Sequence, residues 1–100
     1  MNINKKQEGE TIIFSLDGRL DTATSPKLQE TLIPAFDETG NIVLDFEKLA
    51  YISSAGLRVL LMGQKTATTK NAKLVIKNVS EDIMEVFEMT GFSDMLTIES

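Results

Sequence analysis

The sequence predicts an α/β fold: a mixed sheet of four to five strands with helices packed mainly on one face. Three observations carry this. Short apolar or alternating runs at 11–16, 41–46 and 73–77 read as strands. The segments that follow them hold apolar residues at helical spacing, opened by hydroxyl side chains or closed by Gly or Asn. The resulting order, β-β-α-β-α-β-α-β, contains strand–helix–strand units, whose right-handed crossovers make neighbouring strands parallel. A first hairpin adds an antiparallel pair. Residues 1–100 are expected to form one domain, a length at which about two-thirds of the unfolded surface can be buried.

Residues 1–8 are weakly patterned, with Ile3 the clear inward residue, and Lys5 and Lys6 suit an edge strand. A hairpin around Glu8-Gly9-Glu10 leads to the next strand, where Ile12, Phe14 and Leu16 alternate. Asp17 to Asp21 reads as a turn pinned by Leu20. Ser25 before Pro26 reads as a helix start, a hydroxyl cap with proline at the first helical position, with Asp21 or Thr22 as caps of an earlier turn. Leu28, Leu32, Ala35 and Phe36 form the helix face, Pro34 predicts a kink or interruption near Leu32, and Gly40 a C-terminal cap or turn.

Asn41 to Phe46 is the central-strand candidate, apolar on both faces except Asp45, and Glu47 to Tyr51 reads as its connection to the next helix. That helix is expected from about Ser54 to Thr69, with Leu57, Leu60, Leu61 and Gln64 on one face, Met62 and Gly63 outside, and Asn71 as a stop. Lys73 to Lys77 is a further buried strand. Ser80, followed by Glu81 and Asp82, opens a helix whose face is Ile83, Val86, Phe87 and Thr90, and Gly91 closes it. Met95 to Ile98 is a last short strand.

Composition excludes several functions. The chain has no cysteine, so disulfides and thiolate chemistry are out, and a reducing compartment is consistent with this. It has no histidine, which removes the commonest general base and zinc ligand. Its net charge of −5 argues against a nucleic-acid or anionic-membrane partner. No signal-peptide core and no run of membrane-spanning length occurs, so a cytoplasmic protein is expected.

The chemistry-bearing stretch is Ile52-Ser53-Ser54-Ala55-Gly56-Leu57-Arg58, where a strand hands over to a helix. Free backbone N–H groups and the positive end of the helix dipole meet there, so a serine can cap the helix or carry a phosphate. A nucleophilic hydrolase serine lacks its base, and Gly-x-Ser-x-Gly is absent. Asp17, Asp21 and Asp45 lack a metal-ligand spacing; Asp45 reads as a strand-end residue, Asp21 as a cap or turn residue, and both can line the crevice beyond the strand ends. No phosphate-binding glycine loop is present, so no metal and no cofactor is expected, and the protein is not read as an enzyme. Met84, Phe87, Met89, Phe92 and Met95 read as core, with an exposed share available as an apolar partner surface.

Leu44-Asp45-Phe46-x-x-Leu49-x-Tyr51-Ile52-Ser53-Ser54-Ala55-Gly56-Leu57 resembles the signature of STAS domains, the fold of bacterial anti-sigma factor antagonists. Gly18-Arg19-Leu20-Asp21 is similar to the family's Gly-x-Leu-Asp, and Val86-Phe87-x-Met89-x-Gly91-Phe92 to its closing helix. The resemblance implies a binding module that docks on an anti-sigma factor serine kinase and frees a sigma factor. It implies phosphorylation of Ser54 by that kinase as the off-switch, and a serine phosphatase as the reset. The same resemblance implies a partner-binding surface at Asp21, Ser53, Ser54, Ala55, Gly56 and Arg58. Ser53 stands where the family usually has aspartate, and Ala55 where Thr or Ser is commoner. The alternative keeps the fold without the switch, as a scaffold or subunit of a signalling complex or transporter.

Overall fold

The computed structural model describes residues 1–99. Its elements follow the expected order: β1 (Asn2–Glu8), β2 (Thr11–Leu20), α1 (Ser25–Ala35), β3 (Asn41–Ile52), α2 (Ser54–Thr69), β4 (Lys73–Lys77), α3 (Glu81–Thr90) and β5 (Thr97–Glu99). A 3-10 turn at Phe92–Asp94 precedes the last strand. The strands form one five-stranded sheet in the order β1-β2-β3-β4-β5. β1 is antiparallel to β2, and the other neighbours are parallel.

One face of the sheet is the core. Ile12, Phe14 and Leu16 of β2, Ile42, Leu44 and Phe46 of β3, and Leu74 and Ile76 of β4 are buried. Their alternates are half-buried or exposed, so β3 is not buried on both faces: Val43 and Asp45 lie on the open side. The helices cover the buried side with Leu28 and Leu32 of α1, Leu57 and Leu60 of α2, and Ile83 and Phe87 of α3. Burying each such side chain contributes about 1.5–3 kcal/mol. Phe46 and Phe87 meet with ring centroids 6.4 Å apart.

Neither Asp17–Asp21 nor Glu47–Tyr51 is the turn or connection that the sequence suggests. β2 continues to Leu20 and β3 to Ile52, pairing Asp17 with Lys48, Gly18 with Leu49 and Arg19 with Tyr51. Register shifts at Ser15/Asp17 and Gly18/Arg19 let Asp45 to Ile52 oppose the shorter stretch Ser15 to Leu20. Each such bulge offsets the faces of the residues that follow. Leu49 and Ile52 therefore return to the core, while Glu47, Lys48, Ala50 and Tyr51 face outward. Gly18 supplies a φ of 116° beside the second shift, a conformation that side chains disfavour.

Ser25 is not the cap of α1. It is the first helical residue, it is buried, and its hydroxyl donates to the Asp21 carbonyl at 2.5 Å. Thr24 takes the N-cap place without a side-chain bond to the helix. Pro34 does not interrupt α1, which continues to Ala35. The proline falls in the last turn, and the chain leaves through Phe36, whose N–H bonds the Ile33 carbonyl at 3.3 Å. Gly40 lies in the following bend rather than at the helix end.

α2 spans the predicted residues, but Gly63 faces inward. A Cβ there would come within 2.8 Å of Leu32 Cδ2, so Gly63 is where α2 closes on α1. α3 is capped as expected: the Ser80 hydroxyl accepts from the Ile83 N–H at 3.2 Å, and Gly91 ends the helix at φ 81°. The last strand begins at Thr97, two residues later than expected. Phe87 is core, Met84 and Phe92 are half-buried, and Met89 and Met95 are exposed.

Candidate functional site at the start of α2

One residue separates β3 from α2. Ser53 is extended, at φ −101° and ψ 175°, and its N–H bonds the Leu20 carbonyl at 2.9 Å. The start of α2 is thereby tied to the end of β2. The Ser53 hydroxyl accepts from the Gly56 N–H at 3.3 Å, and its carbonyl from the Leu57 N–H at 3.0 Å. Ser53 is the N-cap, with a residue type and backbone conformation suited to it.

The two serines thus have separate places. Ser54 is the first residue of α2 and is exposed. No hydrogen bond engages its hydroxyl among the described residues. Ala55 is half-buried beside it, and Arg58 is exposed one turn on. Gly56 is buried, and a Cβ there would lie 2.8 Å from Leu20 Cγ and 2.9 Å from Ile52 Cγ1. It offers no side chain to a partner; its bareness lets the helix start lie close to the sheet.

Asp21 stands across the Ser53–Leu20 bond. Its Oδ1 accepts from the N–H groups of Ala23 and Thr24, both at 3.1 Å. The Thr24 hydroxyl accepts from the Asp21 N–H at 2.9 Å and donates to the Arg19 carbonyl at 2.7 Å. The Thr24 N–H is the chief reason the Asp21 carboxyl is held below its ordinary pKa. Desolvation opposes it, while the Thr24 hydroxyl, the Ala23 N–H and the Arg19 guanidinium reinforce it. Asp21 therefore acts as the turn residue the sequence allowed, and its half-exposed carboxylate directly follows Leu20, whose carbonyl bonds Ser53.

Asp21, Ser53, Ser54, Ala55 and Arg58 share this end of the sheet, with Gly56 beneath them. Asp45 is not a strand-end residue: it lies in the middle of β3 and accepts from the Glu47 N–H at 3.0 Å and from Asn78 Nδ2 at 2.9 Å. Asp17 is exposed and pairs with Lys48 in the ladder. The sequence reading missed Arg19 and Tyr51. The Arg19 guanidinium lies 4.1 Å from the Tyr51 ring centroid, and its Nε is 3.8 Å from Asp21 Oδ2. Only the bulged register brings these residues together, and nothing in their spacing announces it.

A shallow cleft of about 150 Å³ runs between the starts of α1 and α2, with Thr22, Pro26, Ala55, Arg58 and Met62 on its walls. Among the described residues, no three His, Cys, Asp or Glu are grouped to hold a metal ion. No described helix is long and apolar enough to cross a membrane.

The chain is 30% identical to the anti-sigma-B factor antagonist of Staphylococcus aureus over 99 residues, covering 98% of this chain and 92% of that protein. It is 26% identical to the anti-sigma-B factor antagonist of Bacillus subtilis, over 100% of this chain and 92% of the relative. Its fold matches that of the anti-sigma factor antagonist SpoIIAA in its unphosphorylated form, with a TM-score of 0.78 at 18% identity over 99% of this chain and 88% of that one. The Bacillus cell fate determinant SpoIIAA in its phosphorylated form matches at a TM-score of 0.77 and 19% identity, over 99% of this chain and 92% of that one. The model of the STAS domain matches residues 2–100, and with the motifs at Ser53–Leu57 and Gly18–Asp21 brought side by side, the chain belongs to the STAS domain family.

Proposed function

We propose that this protein is an anti-sigma factor antagonist switched by phosphorylation of Ser54. Unmodified, it docks on an anti-sigma factor that is a serine kinase, through a surface made by Asp21, Ser53, Ser54, Ala55 and Arg58 and shaped by Gly56, and the kinase releases its sigma factor. The observation that carries this reading is the exposed, unengaged Ser54 hydroxyl beside a Ser53 that has taken over the capping. A Ser54 committed to the cap would instead favour a scaffold without a switch.

In the transfer, Ser54 Oγ attacks the γ-phosphorus of ATP. The new O–P bond forms as the bond to the bridging oxygen of ADP breaks, and the hydroxyl proton passes to a base of the kinase. This chain has no histidine and supplies no base of its own. A phosphatase directs water at the same phosphorus and returns the free serine with inorganic phosphate.

The phosphate adds roughly two negative charges. They fall at the start of a helix, where the dipole favours anions, so the fold accommodates them without rearrangement. For the kinase, whose site holds nucleotide phosphates, the same charge is repulsive, and the complex separates.

The test uses the host's anti-sigma factor kinase and ATP. Wild type should be phosphorylated and Ser54→Ala should not. In capture from host extract, the kinase should be retained by wild type and lost by Ser54→Asp. Equal labelling of Ser54→Ala and wild type would remove the assignment.

A further inference from the structure

The helices differ sharply in charge. α2 carries Arg58 and Lys65 and no carboxylate, whereas α3 carries Glu81, Asp82, Glu85 and Glu88 and no cation. On a chain of net charge −5, α2 is a local cationic ridge. Ser54, Arg58, Leu61 and Lys65 recur three and four residues apart, so they share one stripe.

The chain has two arginines. Arg19 is already engaged, stacked on Tyr51 at 4.1 Å with Asp21 at 3.8 Å. Arg58 is exposed and forms no ion pair among the described residues. A helical side chain leans toward the N-terminus, over the turn before it. Arg58 borders two surface hollows, one with Ala55 before it and one with Leu61, Met62 and Lys65 after it, so its side chain is open to both neighbouring turns. The turn that holds Ser54, four residues earlier on the same stripe, is therefore within its reach.

We propose that Arg58 is the built-in counter-ion of a phosphate on Ser54, and that their pairing turns α2 from a cationic ridge into a locally neutral one. This rests on the reading of Ser54 as the acceptor. An anion four residues N-terminal to a cation is the favoured order on a helix. The guanidinium fork can meet two phosphate oxygens at once, which an ammonium cannot do. The added charge of about −2 matches the two cations of the helix.

The test installs phosphoserine at position 54 of the full chain by genetic encoding, so no kinase is needed, and follows the phosphate by ³¹P NMR against pH. The second ionisation should fall at lower pH in wild type than in Arg58→Gln, by roughly 0.2–0.4 of a pH unit at low salt. Arg58→Lys should lie between them, and 1 M salt should largely erase the difference. The helix start is common to all three proteins, so the difference isolates the side chain at 58. Superimposable titrations of wild type and Arg58→Gln would overturn the proposal. The two readings fail separately. A kinase that ignores Ser54 would sink the switch and leave this titration standing, whereas superimposable titrations would sink the counter-ion and leave the switch.

Discussion

α2 and α3 begin in the same way and then part. Each follows a strand of the parallel part of the sheet, and each is capped by a serine whose hydroxyl accepts from the N–H three residues on, at 3.3 Å for Ser53 and 3.2 Å for Ser80. The first helical position is where they differ. α3 has Glu81 there and Asp82 next, a permanent negative charge on the positive end of its dipole. α2 has Ser54 and Ala55, with no acidic residue in its first turn. At the third position the contrast reverses: α3 buries a large side chain, Ile83, and α2 has Gly56 pressed against Leu20 and Ile52. The start of α3 is a finished joint. The start of α2 is fitted as closely to the sheet but leaves its outer position uncharged and chemically addressable.

The third position offers the harshest way to break the likeness. Ile83→Ala should cost about 2–5 kcal/mol by leaving a hole. Gly56→Val should cost roughly 3 kcal/mol for the opposite reason, overfilling. Urea denaturation reads both, and a Gly56→Val protein as stable as wild type would mean that α2 does not lie on Leu20 and Ile52.

A gentler comparison removes the caps. Ser53→Ala and Ser80→Ala should each lose about 1 kcal/mol, whereas Ser54→Ala should stay within about 0.5 kcal/mol of wild type. If Ser54→Ala lost as much as Ser53→Ala, the division of labour between the two serines would be wrong.

The smallest effect comes from exchanging the first positions. Ser54→Glu should gain about 0.3–1 kcal/mol and Glu81→Ser should lose a similar amount, both fading in high salt. A Ser54→Glu protein that is less stable than wild type at low salt would show that the start of α2 does not favour an anion.

Much of this was legible in the sequence because local signals and the fold agree. Ser80-Glu81-Asp82 and Gly91 bracket α3, and the Ser53-Ser54 pair and Asn71 bracket α2, because capping chemistry is written in adjacent residues. The order of strands and helices followed from periodicity. The two misread strand ends share one cause, which is non-local. Glu47 to Tyr51 lacks strand alternation because two bulges in the β2–β3 ladder offset its faces, and a bulge exists only relative to the partner strand. The Arg19–Tyr51 stack was hidden for the same reason. Ser25 looked like a cap because Ser-Pro is a strong local signal, but the Asp21 turn draws it inward and bonds its hydroxyl to a carbonyl. Pro34 fell late enough in α1 that little helix remained for it to break. At the site itself, residue types pointed to the place, but only the hydrogen bonds distinguish the serine that holds the helix from the serine that is free.

The bond from the Ser53 N–H to the Leu20 carbonyl has a consequence for timing. It clamps the helix start to the neighbouring strand, and Gly56 closes the remaining gap, so the Ser54 hydroxyl sits on a fixed platform. For a switch written at Ser54, no slow folding or hinge step then stands between the chemistry and its effect. The lag between a change in kinase or phosphatase activity and a change in binding would be set by those enzymes and by dissociation of the complex, and this protein would add no delay of its own.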